Sequence, residues 1–224
     1  MTCHLTLKEK HLVTPDVHHF VFDRPEGYEF TPGQATEMAL DRDGWRDEGR
    51  PFTFTGLPDQ DALEFVIKSY PDHDGVTEQL GQLQPGDTVR IGDAWGAIED
   101  RGNGLFIAGG AGVTPFIAIL KAKLADKGTL SGNRLVFSNK TEADIILRDW
   151  FEGLPGLDFR PIVTDQPDSP LHDGMIDRDT LEPLVAGHEG PVYLCGPDPM
   201  MEALIPVLKD LGVTGDRLVV ESFD

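Results

Sequence analysis

The 224-residue sequence contains few cysteines, few basic residues and no long apolar run, and each shortage excludes a class of protein. Cys3 and Cys195 are its two cysteines, too few for a disulfide framework, a cysteine-rich zinc site or an iron–sulfur cluster held by four thiolates. No apolar run approaches the roughly 18 residues of a membrane span, and the amino terminus lacks the pattern of a secretory signal. We therefore expect a cytoplasmic protein without a metal site.

Basic residues are half as numerous as acidic ones. Nineteen Lys and Arg against 39 Asp and Glu give a net charge of −20. A charge of this sign argues against nucleic acid or an anionic membrane as a partner. Two explanations stay open: a generally solubilising acidic surface, and the acidic composition of proteins from salty cytoplasms.

The pattern of the chain changes near residue 102. Before it, short β-like segments separated by turns, with one brief helix at 76–83, are typical of a small antiparallel barrel. After the polar link 99–104, strand-like segments alternate with helical ones, which predicts a parallel sheet covered on both faces. The helical segments are expected near 115–126, 141–152, 178–186 and 198–211. We predict a β-barrel domain over 1–101 and an α/β domain over 102–224.

A glycine-rich stretch, 105–115, links the first strand of the second part to its first helix. Gly109, Gly110 and Gly112 permit a tight turn and close approach of a ligand, and the helix start offers free N–H groups to a dinucleotide pyrophosphate. Pro115 suits the first turn of the helix. A glycine-rich strand-to-helix turn without a ligand is the alternative interpretation.

Four further motifs occur in a particular order along the chain. They are Arg50-Pro51-Phe52-Thr53, Gly75-Val76-Thr77, the Cys195-Gly196-Pro197 motif that ends in Met200, and the carboxyl-terminal Glu221-Ser222-Phe223-Asp224. Together with the glycine turn they resemble the ferredoxin–NADP reductase superfamily, and in particular its cytochrome b5 reductase branch. The resemblance covers nearly the whole chain and implies a flavin-binding barrel followed by a nucleotide-binding α/β domain.

The resemblance implies a flavin site in the barrel. Arg50 would supply a guanidinium for the flavin's pyrophosphate, with Pro51 beside it, Phe52 an aromatic face and Thr53 a hydroxyl near the reacting ring. Phe52 stands where the family has Tyr, so one phenol hydrogen bond is lost.

A second flavin contact is implied around the brief helix. Gly75, Val76 and Thr77 resemble the family's second phosphate clamp, and Thr77 is equally credible as a plain N-cap. Lys68 lies where the family often has a basic residue, although a solvated strand end is the competing role.

The same resemblance implies an NAD site in the second part. Gly110, Gly112, Thr114 and Pro115 would hold the pyrophosphate, with Thr114 near the nicotinamide. Cys195 would lie beside the nicotinamide carbon that gives up hydride, in a pocket shaped by the two residues that follow it, Gly196 and Pro197. Without this context, a cysteine in an apolar strand is a small core residue.

The carboxyl terminus resembles the family's final segment. Phe223 would guard the flavin face and Glu221 would relay protons, which makes Glu221 a catalytic candidate beside Thr53 and Cys195. A frayed tail is the competing interpretation.

The residue pattern after the third strand of the α/β domain addresses cofactor choice. Relatives that prefer NADPH usually carry Ser-Arg there, whereas this chain has Asp165, which repels a 2′-phosphate and accepts hydrogen bonds from ribose hydroxyls. We therefore predict NADH over NADPH, and FAD over FMN by analogy with cytochrome b5 reductase. His18 and His19 point to opposite faces of a strand and make a poor metal site.

These features predict a flavin-dependent NAD(P)H oxidoreductase that passes hydride from NADH to bound FAD and electrons to an external acceptor. The acceptor is a ferredoxin, a flavodoxin, a cytochrome or a small molecule, and the sequence does not choose among them. The alternatives are an electron-transfer subunit of a multicomponent oxidoreductase, a non-enzymatic nucleotide-binding or redox-sensing module, and a structural partner-binding protein.

Overall fold

The computed structural model describes residues 2–70 and 73–221. Within them the chain forms one antiparallel sheet from its first part and one parallel sheet from its second. The antiparallel strands are β1 (Cys3–Thr14), β2 (Val17–Asp23), β3 (Ala35–Leu40), β4 (Arg50–Thr53), β5 (Ala62–Lys68) and β6 (Thr88–Trp95), with helix α1 (Val76–Gln82) between the last two.

The antiparallel sheet curls into a barrel. Its strand order is β4-β3-β6-β1-β2-β5, and an antiparallel bridge between Phe54 and Phe65 joins the two edges. Strand β5 shows why the sequence folds this way, because Leu63, Phe65 and Ile67 point into the barrel core while Val66 faces the opposite side. The aromatic side chains of the core make the barrel a packed body without a channel.

The second sheet is parallel, with strand order β11-β10-β7-β8-β9. Its strands are β7 (Leu105–Gly109), β8 (Arg134–Asn139), β9 (Asp158–Val163), β10 (Val192–Cys195) and β11 (Leu218–Val220). Helices α2 (Thr114–Lys127), α3 (Arg148–Glu152), α4 (Arg178–Val185) and α5 (Asp198–Asp210) cover its faces. Strand β7 is buried on both faces, as the continuous apolar run in its sequence requires.

The predicted helix at 141–152 is wrong in its first half. Residues Glu142–Asp144 form a single 3₁₀ turn, Ile145 is extended, and Leu147 has φ of 52°, so α3 begins only at Arg148. Thr141 and Asp144 cap the turn reciprocally, so that its free backbone N–H groups are satisfied within the turn. The chain then becomes extended at Ile145, which ends the turn. The other predicted helices and strands of this part form, with ends shifted by a few residues.

Helix α2 joins the two sheets into one body. Its Ile117 and Leu120 belong to the same apolar core as Val17 and Val66 of the barrel and Phe137 of the parallel sheet. Because α2 is covered by the sheet on one side and the barrel on the other, its first seven residues are all buried.

Buried polar contacts fix the link between the two parts. The Tyr193 hydroxyl accepts a hydrogen bond from the Arg101 N–H (2.8 Å) and donates one to the Gly102 carbonyl (2.9 Å). The buried Lys123 of α2 pairs with Asp100 at 2.8 Å.

The predicted fold class, an antiparallel barrel followed by a parallel α/β sheet, is confirmed. The division at 101/102 stays a prediction. No helix among the described residues is long and apolar enough to cross a membrane.

Candidate functional site

A cleft of about 190 Å³ lies between the barrel and the glycine turn of the parallel sheet. Its lining comes from β4, β5, α1 and the turn that precedes α2. The lining residues are Pro51, Phe52, Thr53, Val66, Ile67, Lys68, Tyr70, Thr77, Ala111 and Thr114. Residues of both sheets therefore share one concave surface.

Strand β4 forms the barrel wall of this cleft. Phe52 packs against the barrel core while remaining partly exposed, and Thr53 is next to it at the end of the strand. Arg50 is exposed at the start of β4, where its guanidinium donates to the Gly49 carbonyl (2.6 Å) and lies 3.6 Å from a carboxylate oxygen of Glu48. Because successive side chains of a strand alternate between its two faces, Arg50 and Phe52 lie on one face of β4 and Thr53 on the other.

The end of β5 and the start of α1 form a second side. The Lys68 ammonium pairs with Asp16 at 2.8 Å, and 23% of its side chain is exposed, so it is a neutralised cation at the edge of the cleft. Gly75 is the N-cap residue of α1, Val76 is buried in the first turn, and Thr77 lies within the helix. The interpretation of Thr77 as the N-cap is therefore wrong, because the chain enters the helix two residues earlier.

The glycine turn forms the opposite wall. Gly110 has φ of 50°, a conformation that favours glycine, and no atom lies within 4 Å of the position that a Cβ would occupy. The Thr114 hydroxyl donates to the Ala111 carbonyl (2.9 Å), and Pro115 lies in the first turn of α2, as predicted. The space beside Gly110 is therefore open, four residues before α2 begins, whereas the first turn of α2 itself is buried.

Gly112 has a packing role that the sequence did not indicate. A Cβ on Gly112 would lie 2.3 Å from the Cys195 carbonyl oxygen, so the turn and the end of β10 are in backbone contact. Gly196 and Pro197 follow at the same edge of the sheet, and Pro197 is the N-cap residue of α5. The glycine turn and the Cys195 loop are therefore held at a fixed separation.

Burial raises the pKa of the Cys195 thiol to about 12, and the negative charge of Glu221 adds to the effect. The thiol is consequently protonated at neutral pH, so Cys195 offers a compact, uncharged sulfur at the carboxyl end of β10.

The Glu221 carboxylate is held by the barrel. Both of its oxygens accept from the Ala97 N–H, at 3.0 and 3.2 Å. This contact contradicts a frayed tail for Glu221. Phe223 lies outside the described residues.

Asp165 lies two residues beyond β9, at the far edge of the parallel sheet. Its N–H donates to the Lys140 carbonyl (2.8 Å), and the preceding Thr164 N–H donates to the Asn139 carbonyl (3.0 Å). The Asp165 side chain is exposed at the carboxyl edge, free to meet a ligand that extends past β8.

The structure brings some of the expected site residues to one surface and leaves others beside it. Lining the cleft are Pro51, Phe52, Thr53, Lys68, Thr77 and Thr114. Outside its lining are Arg50, Gly75, Val76, Gly110, Gly112, Pro115, Asp165, Cys195, Gly196, Pro197 and Glu221. Sequence reasoning missed Val66, Ile67, Tyr70 and Ala111. Of these, only Tyr70 could have been found from the sequence, because it is an aromatic residue two positions after Lys68, where the strand ends.

The cleft and its surroundings fit a flavin and a nicotinamide dinucleotide. Val66 and Phe52 offer apolar surface to a flat ring, and the exposed Arg50 guanidinium beside the cleft suits a pyrophosphate. The Cβ position of Gly110 faces open space in the turn before α2, where a second anionic group would approach the backbone. No group of three or more metal-ligating side chains occurs in the described parts of the chain.

Two family models match the chain in the same order as its two sheets. Residues 4–99 match the oxidoreductase FAD-binding domain, and residues 106–205 match the oxidoreductase NAD-binding domain.

Curated relatives cover almost the full chain. It is 30% identical to NADH-cytochrome b5 reductase 1 of Aspergillus terreus over 95% of the chain and 79% of that protein. It is 28% identical to NADH-cytochrome b5 reductase 2 of Mycosarcoma maydis over 89% of the chain but only 63% of that protein. The chain thus spans less than two thirds of the length of several relatives that it matches.

A solved structure supports the same relationship. The cytochrome b5 reductase domain of Ulva prolifera nitrate reductase superposes with a TM-score of 0.83 at 26% identity, covering 98% of this chain and 97% of that one.

Proposed function

The chain belongs to the ferredoxin reductase/cytochrome b5 reductase family of FAD- and NAD-binding oxidoreductases, and from this premise we propose that it is an NADH-dependent flavoprotein reductase. It takes hydride from NADH onto bound FAD and delivers the electrons to an external acceptor. The observation that carries the proposal is the cleft in which Phe52 and Thr53 of the barrel face Ala111 and Thr114 of the glycine turn.

In this proposal, FAD supplies the redox chemistry, accepting two electrons as a hydride and releasing them to the acceptor. The barrel supplies the binding groups. Arg50 holds the pyrophosphate with Pro51 beside it, the α1 residues Gly75, Val76 and Thr77 contribute a second phosphate contact, and Lys68 adds a cation. Phe52 supports the ring and Thr53 positions a hydroxyl beside it.

The parallel sheet would orient the nicotinamide dinucleotide. Gly110, Gly112 and Pro115 would shape the glycine turn that binds the pyrophosphate. Thr114 follows that turn and lines the cleft together with Phe52 and Thr53 of the barrel. The protonated Cys195 thiol, with Gly196 and Pro197, excludes water from the nicotinamide carbon without adding charge. Glu221, whose carboxylate accepts from the Ala97 N–H, would hold or pass a proton near Cys195.

We further propose that NADH is preferred over NADPH, because the exposed Asp165 carboxylate repels a 2′-phosphate and accepts from ribose hydroxyls. A cytoplasmic location is part of the same proposal, supported by the two unpaired cysteines.

The acceptor is proposed by class. The candidates are a ferredoxin, a flavodoxin, a cytochrome and a small molecule, and the net charge of −20 favours a basic acceptor protein over an acidic one. Reduction of a basic cytochrome should slow as salt is added, whereas reduction of an acidic ferredoxin should accelerate.

The deciding experiment uses purified protein saturated with FAD. Anaerobic addition of NADH should bleach the flavin absorbance, and an external acceptor should restore it. FMN in place of FAD, and NADPH in place of NADH, provide the matched comparisons. A flavin that stays oxidised in NADH would overturn the proposal.

A further inference from the structure

Two neighbouring strands of the parallel sheet end next to glycines at the same level. Cys195 of β10 pairs with Ala108 of β7, so Gly196 is level with Gly109. Gly109 has φ of −125°, and Gly196 is also outside the left-handed region, so neither position needs glycine for an unusual backbone conformation. Glycine is therefore required at these two positions for space.

The side chain of Met200 occupies that space. A Cβ on Gly109 would collide with the Met200 sulfur, and a Cβ on Gly196 would lie 2.7 Å from the same atom. The other atoms nearest to a Cβ on Gly196 belong to Gly109 and are 3.4 and 3.5 Å away, which is ordinary contact. The thioether thus lies across both strand ends, and Met200 is the residue that excludes a side chain at position 196.

Helix α5 holds Met200 in this position. Met200 is the third residue of the helix, and its N–H donates to the carbonyl of Pro197, the N-cap residue (2.9 Å). Its side chain is partly buried and packs against the core in which Leu204 and Leu208 fix α5 on the sheet. The Met200 sulfur is therefore anchored relative to the ends of β7 and β10.

The loop that begins at Cys195 is held by two contacts. Gly112 of the glycine turn touches the Cys195 carbonyl, and the Met200 sulfur covers the next residue, Gly196. Met200 itself is outside the lining of the cleft. Its effect on a ligand would therefore be transmitted by the position of the loop.

We propose that Met200 is a positioning residue for hydride transfer, because its thioether packs over Gly109 and Gly196 and sets how far the Cys195 loop lies from the glycine turn. This inference rests on the proposed function, in which that loop places the nicotinamide ring. A displacement of about 1 Å at a reacting group can slow a reaction about a hundredfold. An unbranched, flexible methionine suits an irregular gap between two strand ends.

The first measurement is the rate of flavin reduction at saturating NADH, followed by stopped flow on FAD-loaded protein. In Met200→Ala this rate should fall about tenfold or more, whereas the Kd for ADP-ribose, which lacks the nicotinamide, should change less than about threefold. Met201→Ala is the matched control, because Met201 is the next residue of α5, is also partly buried and packs against the same core. It should lower the unfolding temperature comparably but leave the rate of flavin reduction unchanged.

The second measurement tests the contact between Met200 and Gly196. Gly196→Ala places a methyl group against the Met200 sulfur and should also slow flavin reduction about tenfold. Met200→Ala removes that obstacle, so the double variant should be at least as fast as Gly196→Ala, whereas independent effects would make it about a hundredfold slower than the wild type. Multiplied losses would overturn the inference, because Gly196 would then be needed for a reason other than Met200.

Alkylation of Cys195 provides a third readout that does not involve NADH. In a Cys3→Ser background, Met200→Ala should raise the rate at which iodoacetamide modifies Cys195 about tenfold, because the loop has lost a contact. Met201→Ala should leave this rate unchanged.

A fall of less than about threefold in the rate of flavin reduction in Met200→Ala would overturn the inference. An equal fall in Met201→Ala would also overturn it, because it would reflect general destabilisation. Met200→Val, which also removes the sulfur and its methyl group, gives the same comparison if Met200→Ala does not fold.

Failure of the inference is distinguishable from failure of the proposed function. If NADH bleaches the wild type and Met200→Ala at the same rate, only the role of Met200 is wrong. If NADH does not bleach the wild-type flavin, the proposed function fails and the role of Met200 in hydride transfer fails with it.

Discussion

Glu64 of β5 and Lys121 of α2 form an ion pair between the barrel and the parallel sheet, with 3.1 Å between Oε2 and Nζ. His19 of β2 shares the same carboxylate oxygen at 3.2 Å. The hydrogen bond from His19 and the charge of Lys121 lower the pKa of Glu64 from 4.5 to about 2.

Glu64→Gln should destabilise the protein by up to about 3 kcal/mol at neutral pH. Because the folded-state pKa of Glu64 is depressed, its contribution is complete above pH 4.5 and is lost as the pH falls towards 2. Urea unfolding of wild type and variant should therefore converge across that window. Glu9→Gln, which removes an exposed carboxylate beside His11, serves as control, and a pH-independent difference for Glu64→Gln would contradict the prediction.

Arg50→Ala should release FAD. The exposed guanidinium makes few contacts in the fold, so its loss should raise the Kd for FAD about tenfold or more with little change in unfolding temperature. Flavin retained after gel filtration measures the effect. Arg46→Ala removes another exposed arginine, paired with Asp41 and Asp43, and should retain flavin normally.

Gly112→Ala should destabilise the protein by about 1–3 kcal/mol through overpacking, because a Cβ would meet the Cys195 carbonyl oxygen at 2.3 Å. Backbone atoms cannot rotate aside as a side chain can, so the Cys195 loop must move and NADH binding should weaken. Thermal unfolding and the KM for NADH report the two effects. Gly92→Ala, where the nearest atom is 4.0 Å away, should change neither.

Asp165→Ser should raise kcat/KM for NADPH about tenfold, since it removes the carboxylate that opposes a 2′-phosphate. Lys140, whose carbonyl accepts from the Asp165 N–H, is a neighbour of this position. In the variant its positive charge is no longer opposed by the Asp165 carboxylate. Steady-state kinetics with both nucleotides test this. Asp168→Ser, at an exposed position in the same loop, should leave the preference intact, and a wild type that uses NADPH as well as NADH would refute the role of Asp165.

Cys195 should resist alkylation. With a pKa raised to about 12 by burial, its thiolate fraction at about pH 8 is minute, and the rate of modification should rise steadily with pH as long as the fold persists. Mass spectrometry after iodoacetamide treatment, in a Cys3→Ser background, isolates this thiol. Rapid modification at neutral pH would show that the sulfur is charged or exposed.

The sequence predicted those features that depend on local patterns. Gly110 and Pro115 identify the turn before α2 because a positive φ and a missing N–H restrict which residues fit. The alternation of Leu63, Phe65 and Ile67 identifies a barrel strand because the side-chain period is two.

Features that depend on distant contacts were not predictable. Leu147 adopts a left-handed conformation inside an apparently helical stretch, held by packing against the core of the second part. The spacing role of Gly112 depends on Cys195, far away in sequence.

Helix α2 lies in a core shared by both sheets, with Ile117 and Leu120 clustered with Val17 and Val66 of the barrel. A hinge motion that swung the barrel away would expose this apolar seam to water and break the bond between Glu64 and Lys121. Small displacements at the rim of the cleft are therefore less costly than opening the whole interface between the barrel and the parallel sheet.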